Sequence, residues 1–465
     1  MKELMITLNT KSKMPLYEQI YQYIKQEIQN QALACGTQLP STRSLAAHLD
    51  VSRSTVDLAY EQLLSEGYIE SIPCRGYYVS QLEGLYQLVP ERSLPKPSQK
   101  GAQRNYRYDF SPRGIDLHSF PYNVWRKLSK EILLDERTTL WKSGDSRGEE
   151  GLRDAIRTYL HQARGVNCSS DQIVVGAGNE YLLMLLSMMI GTRHRIAFEN
   201  PTYRQAYRVF QNLGYDVTTV DMDQYGMQVN RLDESGANLA YVMPSHQYPL
   251  GIVMPMKRRM ELLKWASEQE GRFVIEDDYD SEFRYKGRPI PALQGHDVHG
   301  RVVYLGTFSK SIAPAIRVSY MVLPRKLLET YQEMCGFMSC TVPKPDQLVV
   351  EQFIKQGYYE RHLNKMRALY KGRHDVLLAQ LKPLLSACCI SGEHAGVHLL
   401  LTFPEGKSED ALIRAAAEHQ IKVYGLSEYD TDSRSTGRAT ILLGYANMLE
   451  TDIVEATKVL CEIWK

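Results

Sequence analysis

From Asp109 to the end of the chain, short apolar runs of strand length alternate with stretches of helical spacing, and few architectures accept that alternation. The strand-length runs are 171–175, 195–198, 239–243, 272–275 and 302–305, with helical stretches such as 181–190 and 257–269 between several of them. This order predicts an α/β fold, a largely parallel sheet covered by helices on both faces. In such sheets ligands collect just past the carboxyl ends of the strands. The residues that follow each run are therefore where chemistry is expected.

After the run at 302–305 come Thr307, Ser309 and Lys310, with Arg317 seven residues beyond the lysine. A lysine that forms a Schiff base needs rigid backbone and neighbours that hold the other end of its partner. Thr307 and Ser309 offer hydroxyls, and Arg317 offers a planar fork suited to a phosphate. The segment predicts a pyridoxal phosphate (PLP) site built on Lys310, and it also fits a surface lysine in a Ser/Thr loop. Ala177, Gly178 and Asn179 open a helix, where backbone N–H groups attract an anion or simply make a helix-entry turn. Tyr203 follows the next run and can stack on a flat ring or pack in the core. His246 and Gln247 lie in a polar turn and can meet a ring hydroxyl. Most telling is Phe273-Val274-Ile275-Glu276-Asp277-Asp278-Tyr279, a buried strand leading into carboxylates. An acid there would keep a pyridine nitrogen protonated, making the ring an electron sink.

Length and charge bound the partners. At 465 residues the chain is expected to hold two or three domains, given about 150 residues for each. A net charge of +1 gives no global basic field, so any DNA contact must come from a local patch. Eight scattered cysteines without a CxxC pair predict free thiols in a reducing compartment. The longest apolar run, 181–191, is too short to cross a bilayer, and residues 1–10 lack the order of a signal peptide. A cytoplasmic protein with no membrane partner is expected.

The first eighty residues read differently. Leu16, Ile20, Tyr23, Ile24 and Ile28 make one helical stripe, Ser41 can cap a second helix, and Ser52 a third with Val56, Ala59, Tyr60 and Leu63 inward. After Gly67, residues 68–72 and 76–79 alternate like two strands joined at 73–75. Three helices closed by a hairpin make a winged helix-turn-helix. Its third helix would present Ser52, Arg53, Ser54 and Thr55 to the major groove, with Arg43 on a phosphate and Arg75 and Gly76 in the wing tip. A protein-binding module is the competing reading, since acids and bases are about balanced here.

Leu39-Pro40-Ser41-Thr42-Arg43-Ser44-Leu45-Ala46, Val51-Ser52-Arg53-Ser54-Thr55-Val56 and Ala59-Tyr60-Glu61-Gln62-Leu63 resemble the GntR-type winged helix over its whole length. The resemblance implies a bacterial transcription regulator that binds a double-stranded DNA operator. The domains are placed at 11–80 for the DNA-binding unit, 81–108 for a Pro-rich linker and 109–465 for the remainder.

The segment from Asp109 onward resembles fold-type I aminotransferases, with Gly178, Tyr203, Asp277, Tyr279, Lys310 and Arg317 in the expected order. That likeness implies an aldimine at Lys310, Asp277 on the pyridine nitrogen, Tyr279 at the ring hydroxyl and Tyr203 on the ring. Around the phosphate it implies Ala177, Gly178, Asn179, Thr307, Ser309 and Arg317. Together with Ser245-His246-Gln247-Tyr248-Pro249 and Gly357-Tyr358-Tyr359-Glu360-Arg361-His362-Leu363, the two halves resemble the MocR regulators. A homodimer is implied, responding to PLP, a small amine or an amino acid. The sequence departs from the enzymes at Leu442, where they place a substrate-carboxylate arginine, and from GABA-responsive regulators at Gln205. Arg204 and Arg438 are the nearest substitutes. The rival reading is a working aminotransferase with an accessory winged helix.

Overall fold

Helical spacing puts Ile20, Tyr21, Ile24 and Ile28 on one buried stripe of α1 (Leu16–Gln29). Helices α2 (Thr42–Leu49) and α3 (Arg53–Ser65) each begin at a serine whose hydroxyl accepts a backbone N–H: Ser41 from Ser44 at 3.1 Å, Ser52 from Thr55 at 3.3 Å. Strands β1 (Ile69–Ile72) and β2 (Gly76–Val79) pair antiparallel and close the unit, with Ile69 opposite Val79. Leu45, Val56, Ala59, Tyr60, Leu63, Ile69 and Val79 join the α1 stripe in one core. This computed structural model describes residues 6–10, 12, 14–81, 105–134, 138–285, 290–431 and 438–465. The chain divides into two compact units, Met1–Gln103 and Arg104–Lys465. Most of the expected linker, 82–104, lies outside the described residues.

The second unit is built on an eight-stranded sheet. In spatial order its strands are Ile173–Gly176, Ser319–Val322, Val302–Thr307, Phe273–Asp278, Leu239–Val242, Arg195–Asn200, Asp216–Asp223 and Gly226–Met227. The five from Val302–Thr307 to Asp216–Asp223 run parallel, while Ser319–Val322 is antiparallel to both neighbours. Period-two alternation splits the apolar residues between the two faces. Val174, Tyr241, Ile275, Val303 and Met321 share a core with Leu182 and Leu186 of the helix Asn179–Ile190. On the other face, Val175, Tyr304 and Tyr320 pack with Leu152 and Ile156 of Glu150–Arg164, and Val274 and Ala240 with Leu262 of Met256–Glu268.

A smaller antiparallel sheet follows in the order Cys389–Ser391, His398–Thr402, Thr440–Gly444, Tyr424–Gly425. Tyr370, Leu377 and Leu381 of the helix Tyr358–Leu381 and Ile453 and Leu460 of Glu450–Ile463 pack on it.

Several strands escape the sequence reading, those of the small antiparallel sheet and two strands of the large one among them. Asp216–Asp223 is rich in Thr and Asp because it lies next to the short terminal strand, half-buried rather than enclosed. Ser319–Val322 is only four residues long and follows the Arg317 turn. The strand expected at 272–275 also runs further, through Glu276, Asp277 and Asp278. Burial of three acids in succession is possible because each is met by donors: Glu276 accepts from the Leu293 and Gln294 N–H groups at 2.7 and 2.9 Å, and Asp278 from Arg164 and Tyr304 at 2.8 and 2.6 Å. Asp277 accepts from the Tyr241 hydroxyl. All eight cysteines are free, and among the described residues no helix is long and apolar enough to cross a membrane.

Candidate cofactor cleft and DNA-reading face

Where the Val302–Thr307 strand ends, the chain makes a pinned turn. The Phe308 N–H donates to Val318 O at 2.9 Å and the Ile312 N–H to Phe308 O at 2.8 Å, while the Phe308 ring is fully buried. Lys310 projects from this turn into a cavity of about 170 Å³ that also receives Gly178, Asn179, Tyr203, Asp277, Tyr279, Thr307, Ser309 and Arg317. The described residues offer the Lys310 amine no hydrogen bond. Burial lowers its pKa to about 8, against the attraction of Asp280. An amine so placed has a far larger unprotonated, nucleophilic fraction near neutral pH than a surface lysine.

One end of the cleft is an anion cradle. Gly178 precedes the N-terminus of Asn179–Ile190 with φ 100°, and a Cβ there would lie 2.0 Å from Arg317 Nη2, so any side chain would fill the cradle. Arg317 donates to Ala177 O at 3.1 Å and pairs with Glu180 at 2.9 Å, an exposed pair that costs little to exchange. Thr307 Oγ1 accepts from the Ser309 N–H at 3.1 Å and from Ser319 Oγ at 2.8 Å. The Ser309 hydroxyl is buried with no partner among the described residues. A helix N-terminus, a guanidinium and an orphaned hydroxyl around space only glycine leaves open fit a phosphate.

The middle of the cleft fits a pyridine ring. Asp277 is buried, accepts from Tyr241, and lies 3.4 Å from Asn179 Nδ2. Burial pushes its carboxyl up to about 7, which a positively charged ring nitrogen would reverse. Tyr203 stands at the start of the helix Arg204–Asn212, its ring edge-on to Tyr248 at 6.1 Å. The Tyr279 hydroxyl is 3.0 Å from His246 Nδ1, which also meets both Asp280 oxygens at 3.0 Å.

The raised carboxyl makes a testable statement about pH. Folded Asp277 holds a proton that the unfolded chain releases between about pH 4 and 7, so this residue makes the cofactor-free fold less stable as pH rises through that window. Asp277→Asn is therefore expected to stabilise the cofactor-free protein at pH 8, on the order of 2–4 kcal/mol, and by clearly less at pH 5, on the order of 1–2 kcal/mol. Urea melts at the two pH values check this; the same difference at both would contradict it.

Several expected residues fall elsewhere. Gln247 is turned away, its Nε2 donating to Pro201 O and Tyr248 O at 2.9 Å and its Oε1 accepting from the Leu250 N–H at 3.0 Å. His246 stands behind Tyr279 rather than in the cleft. Ala177 does not line the cavity: its N–H donates to Thr341 Oγ1 at 2.9 Å and its carbonyl accepts from Arg317. Arg204 donates to Glu428 O at 3.0 Å, and neither it nor Arg438 lines the cavity. Leu442 is fully buried opposite Leu400 in the small sheet. The sequence reading missed Tyr241, which looks like an ordinary strand residue; it also missed Arg113, which lines the same cavity, because the segment before the first helix of this unit shows no periodicity.

In the first unit, Arg43, Ser52, Arg53, Ser54 and Arg75 are exposed, with Thr55 and Gly76 partly covered. Ser52 Oγ bonds Ser54 Oγ and Thr55 Oγ1 at 2.8 Å, so the cap orders the start of α3. Arg53 makes one exposed 3.5 Å pair with Asp57. Gln38 Nε2 donates to Arg75 O at 2.8 Å, and the Leu39 N–H to Tyr77 O at 2.9 Å, pinning the wing.

Residues 114–451 match the family described as aminotransferase class I and II, and residues 16–79 match the bacterial regulatory proteins of the gntR family. The chain is 40% identical to YhdI of Bacillus subtilis (strain 168), an uncharacterized HTH-type transcriptional regulator, over 96% of this chain and 95% of that protein. To MocR of Rhizobium meliloti, a probable rhizopine catabolism regulatory protein, it is 31% identical over 96% of this chain and 92% of that one. The crystal structure of Pyrococcus horikoshii kynurenine aminotransferase in complex with PMP superposes with a TM-score of 0.68 at 26% identity, covering 77% of this chain and 90% of that one.

Proposed function

The chain belongs to the MocR-type regulators, a GntR-type winged helix joined to an aminotransferase class I and II domain, and from that premise we propose how its cleft serves regulation. It is a PLP-dependent, DNA-binding transcriptional regulator. In our reading it senses PLP or a small amine through Lys310, acts as a homodimer in the cytoplasm, and has no significant turnover of its own. The observation that carries this reading is a lysine amine with no hydrogen-bond partner among the described residues and a pKa lowered to about 8, facing the same cavity as an anion cradle.

When bound, PLP supplies a carbon that condenses with amines and a ring that withdraws electrons from it. The chain's own residues do the rest. Arg317, Ser309, Thr307 and the helix N-terminus at Gly178 and Asn179 hold the phosphate. Asp277, fixed by Tyr241 and Asn179, holds a proton on the ring nitrogen, and Tyr203 and Tyr279 wall the ring. A ligand amine competes with Lys310, and the competition is read out as a change in operator affinity.

The test is operator binding by the PLP-loaded protein with and without amines, beside a turnover assay with amino donors and 2-oxo acids. Amine-dependent affinity without appreciable turnover supports the regulator; steady turnover in the absence of DNA supports the enzyme. Leu442, in place of an arginine, favours the first outcome.

DNA reading gives a second prediction. The exposed Arg53–Asp57 pair contributes at most about 1 kcal/mol. A base contact is worth about 1–3 kcal/mol, so Arg53 gains by moving to DNA. Arg53→Ala is expected to weaken operator binding by that larger amount. Unchanged affinity in a fluorescence anisotropy titration would remove Arg53 from the reading face.

A further inference from the structure

Arg113 lines the same cavity as Lys310 yet comes from the start of the second unit, nearly two hundred residues earlier in the chain. It sits on a turn pinned at several points. The Gly114 N–H donates to Ser111 O at 3.0 Å, the Gly444 N–H to Phe110 O at 2.9 Å, and Asn447 Nδ2 to Asp109 O at 3.0 Å. The turn admits no extra bulk: a Cβ on Gly444 would fall 2.0 Å from Ser111 O, and one on Gly114 2.3 Å from Asn447 Oδ1. Just downstream, buried Asp116 is anchored by Arg373 at 3.2 Å. The end of the Thr440–Gly444 strand thus fixes the backbone that carries Arg113.

The side chain, by contrast, is uncommitted. Arg113 is exposed and makes no hydrogen bond or ion pair among the described residues. The cradle for the cofactor phosphate already has its own guanidinium in Arg317. Arg113 lines the cavity together with Lys310, Tyr203 and Tyr248. Leu442, in the strand that pins this turn, supplies no charge, and Arg204 is spent on a backbone carbonyl.

Resting on the reading of Lys310 given above, we infer that Arg113 is the anion-recognising residue of the effector site. The ligand is therefore an amine that carries a second, negatively charged group such as a carboxylate or sulfonate, held by the guanidinium fork while its amine competes with Lys310. Arg113 acts here as a specificity residue and takes no part in holding the cofactor.

The test uses the full-length PLP-loaded protein and matched probes: amino acids with the amine on the terminal carbon, from glycine to 6-aminohexanoate, and taurine, each against the n-alkylamine of equal length. Binding is followed by the visible absorbance of the protein. For at least one length the wild type should prefer the acid by about tenfold or more, a difference one charge-assisted pair can supply. Arg113→Gln should bring the two probes within about twofold of each other, and Arg113→Lys should keep part of the preference. PLP retention, measured separately by dialysis, should stay unchanged in both variants. A preference that survives Arg113→Gln, a wild type that prefers no acid at any length, or a variant that loses PLP would each overturn the assignment. Failure of the underlying reading is distinct, since the wild type would then show no PLP attached at Lys310.

Discussion

Lys310→Ala is expected to abolish both the visible absorbance of the PLP-loaded protein and its response to amines, while leaving its DNA affinity without effector close to that of the wild type. Loss of the covalent attachment should weaken PLP retention by about 100-fold or more, because only the noncovalent contacts of the cradle, Asp277 and the two tyrosines remain. The variant should fold. Burial already disfavours the Lys310 charge, as its lowered pKa records, so alanine removes a cost from the cofactor-free protein. Absorbance, dialysis and operator titration measured on one preparation separate these effects. Retention of the visible band would mean that another amine holds the cofactor.

The second large effect concerns what keeps the cleft in shape. Arg164 and Asp278 form an ion pair at 2.8 Å with their side chains 3% and 2% exposed. Asp278 also accepts from Tyr304 at 2.6 Å, and Arg164 donates to Ser245 at 2.7 Å and to Ile290 O. This network ties the helix Glu150–Arg164 to the ends of the strands that carry Asp277 and precede Ser245. Arg164→Met fills much of the same space but leaves Asp278 as a buried charge whose remaining partner is a hydroxyl. The expected cost is about 3–5 kcal/mol, the range for breaking a buried pair from one side. Arg164→Met combined with Asp278→Leu should recover part of it, because no uncompensated charge then remains. Urea unfolding of the three proteins measures this; a loss below about 1 kcal/mol in the single variant would mean that water reaches Asp278.

Local chemistry made much of the architecture legible. Ser41 and Ser52 announce their helices because a capping hydroxyl acts within three residues, and the strands 302–305 and 239–243 announce themselves by unbroken apolar runs. Residues just past strand ends were legible for the same reason: Lys310, Ser309 and Arg317 follow one strand, Gly178 another, and the structure brings them to one cavity. What stayed hidden depends on contacts distant in sequence. Tyr241 cannot be told from a core tyrosine until the neighbouring strand sets its hydroxyl against Asp277. Gln247 looks like a ligand-facing amide until its turn claims both ends of the side chain. The three acids at 276–278 look like a strand end because nothing nearby in sequence shows that Arg164, Leu293 and Gln294 will satisfy them. Arg113 belongs to a segment without period, and its place in the cavity that holds Lys310 depends on a turn pinned by the Thr440–Gly444 strand more than three hundred residues later.

The central claim is that one particular lysine carries the cofactor. Loading the full-length protein with PLP, reducing it with borohydride and mapping the pyridoxyl mass by peptide mass spectrometry measures this directly. A stoichiometric adduct on the peptide containing Lys310, absent from Lys310→Ala, is the predicted result. An unmodified Lys310, or an adduct on a different lysine, would contradict the account.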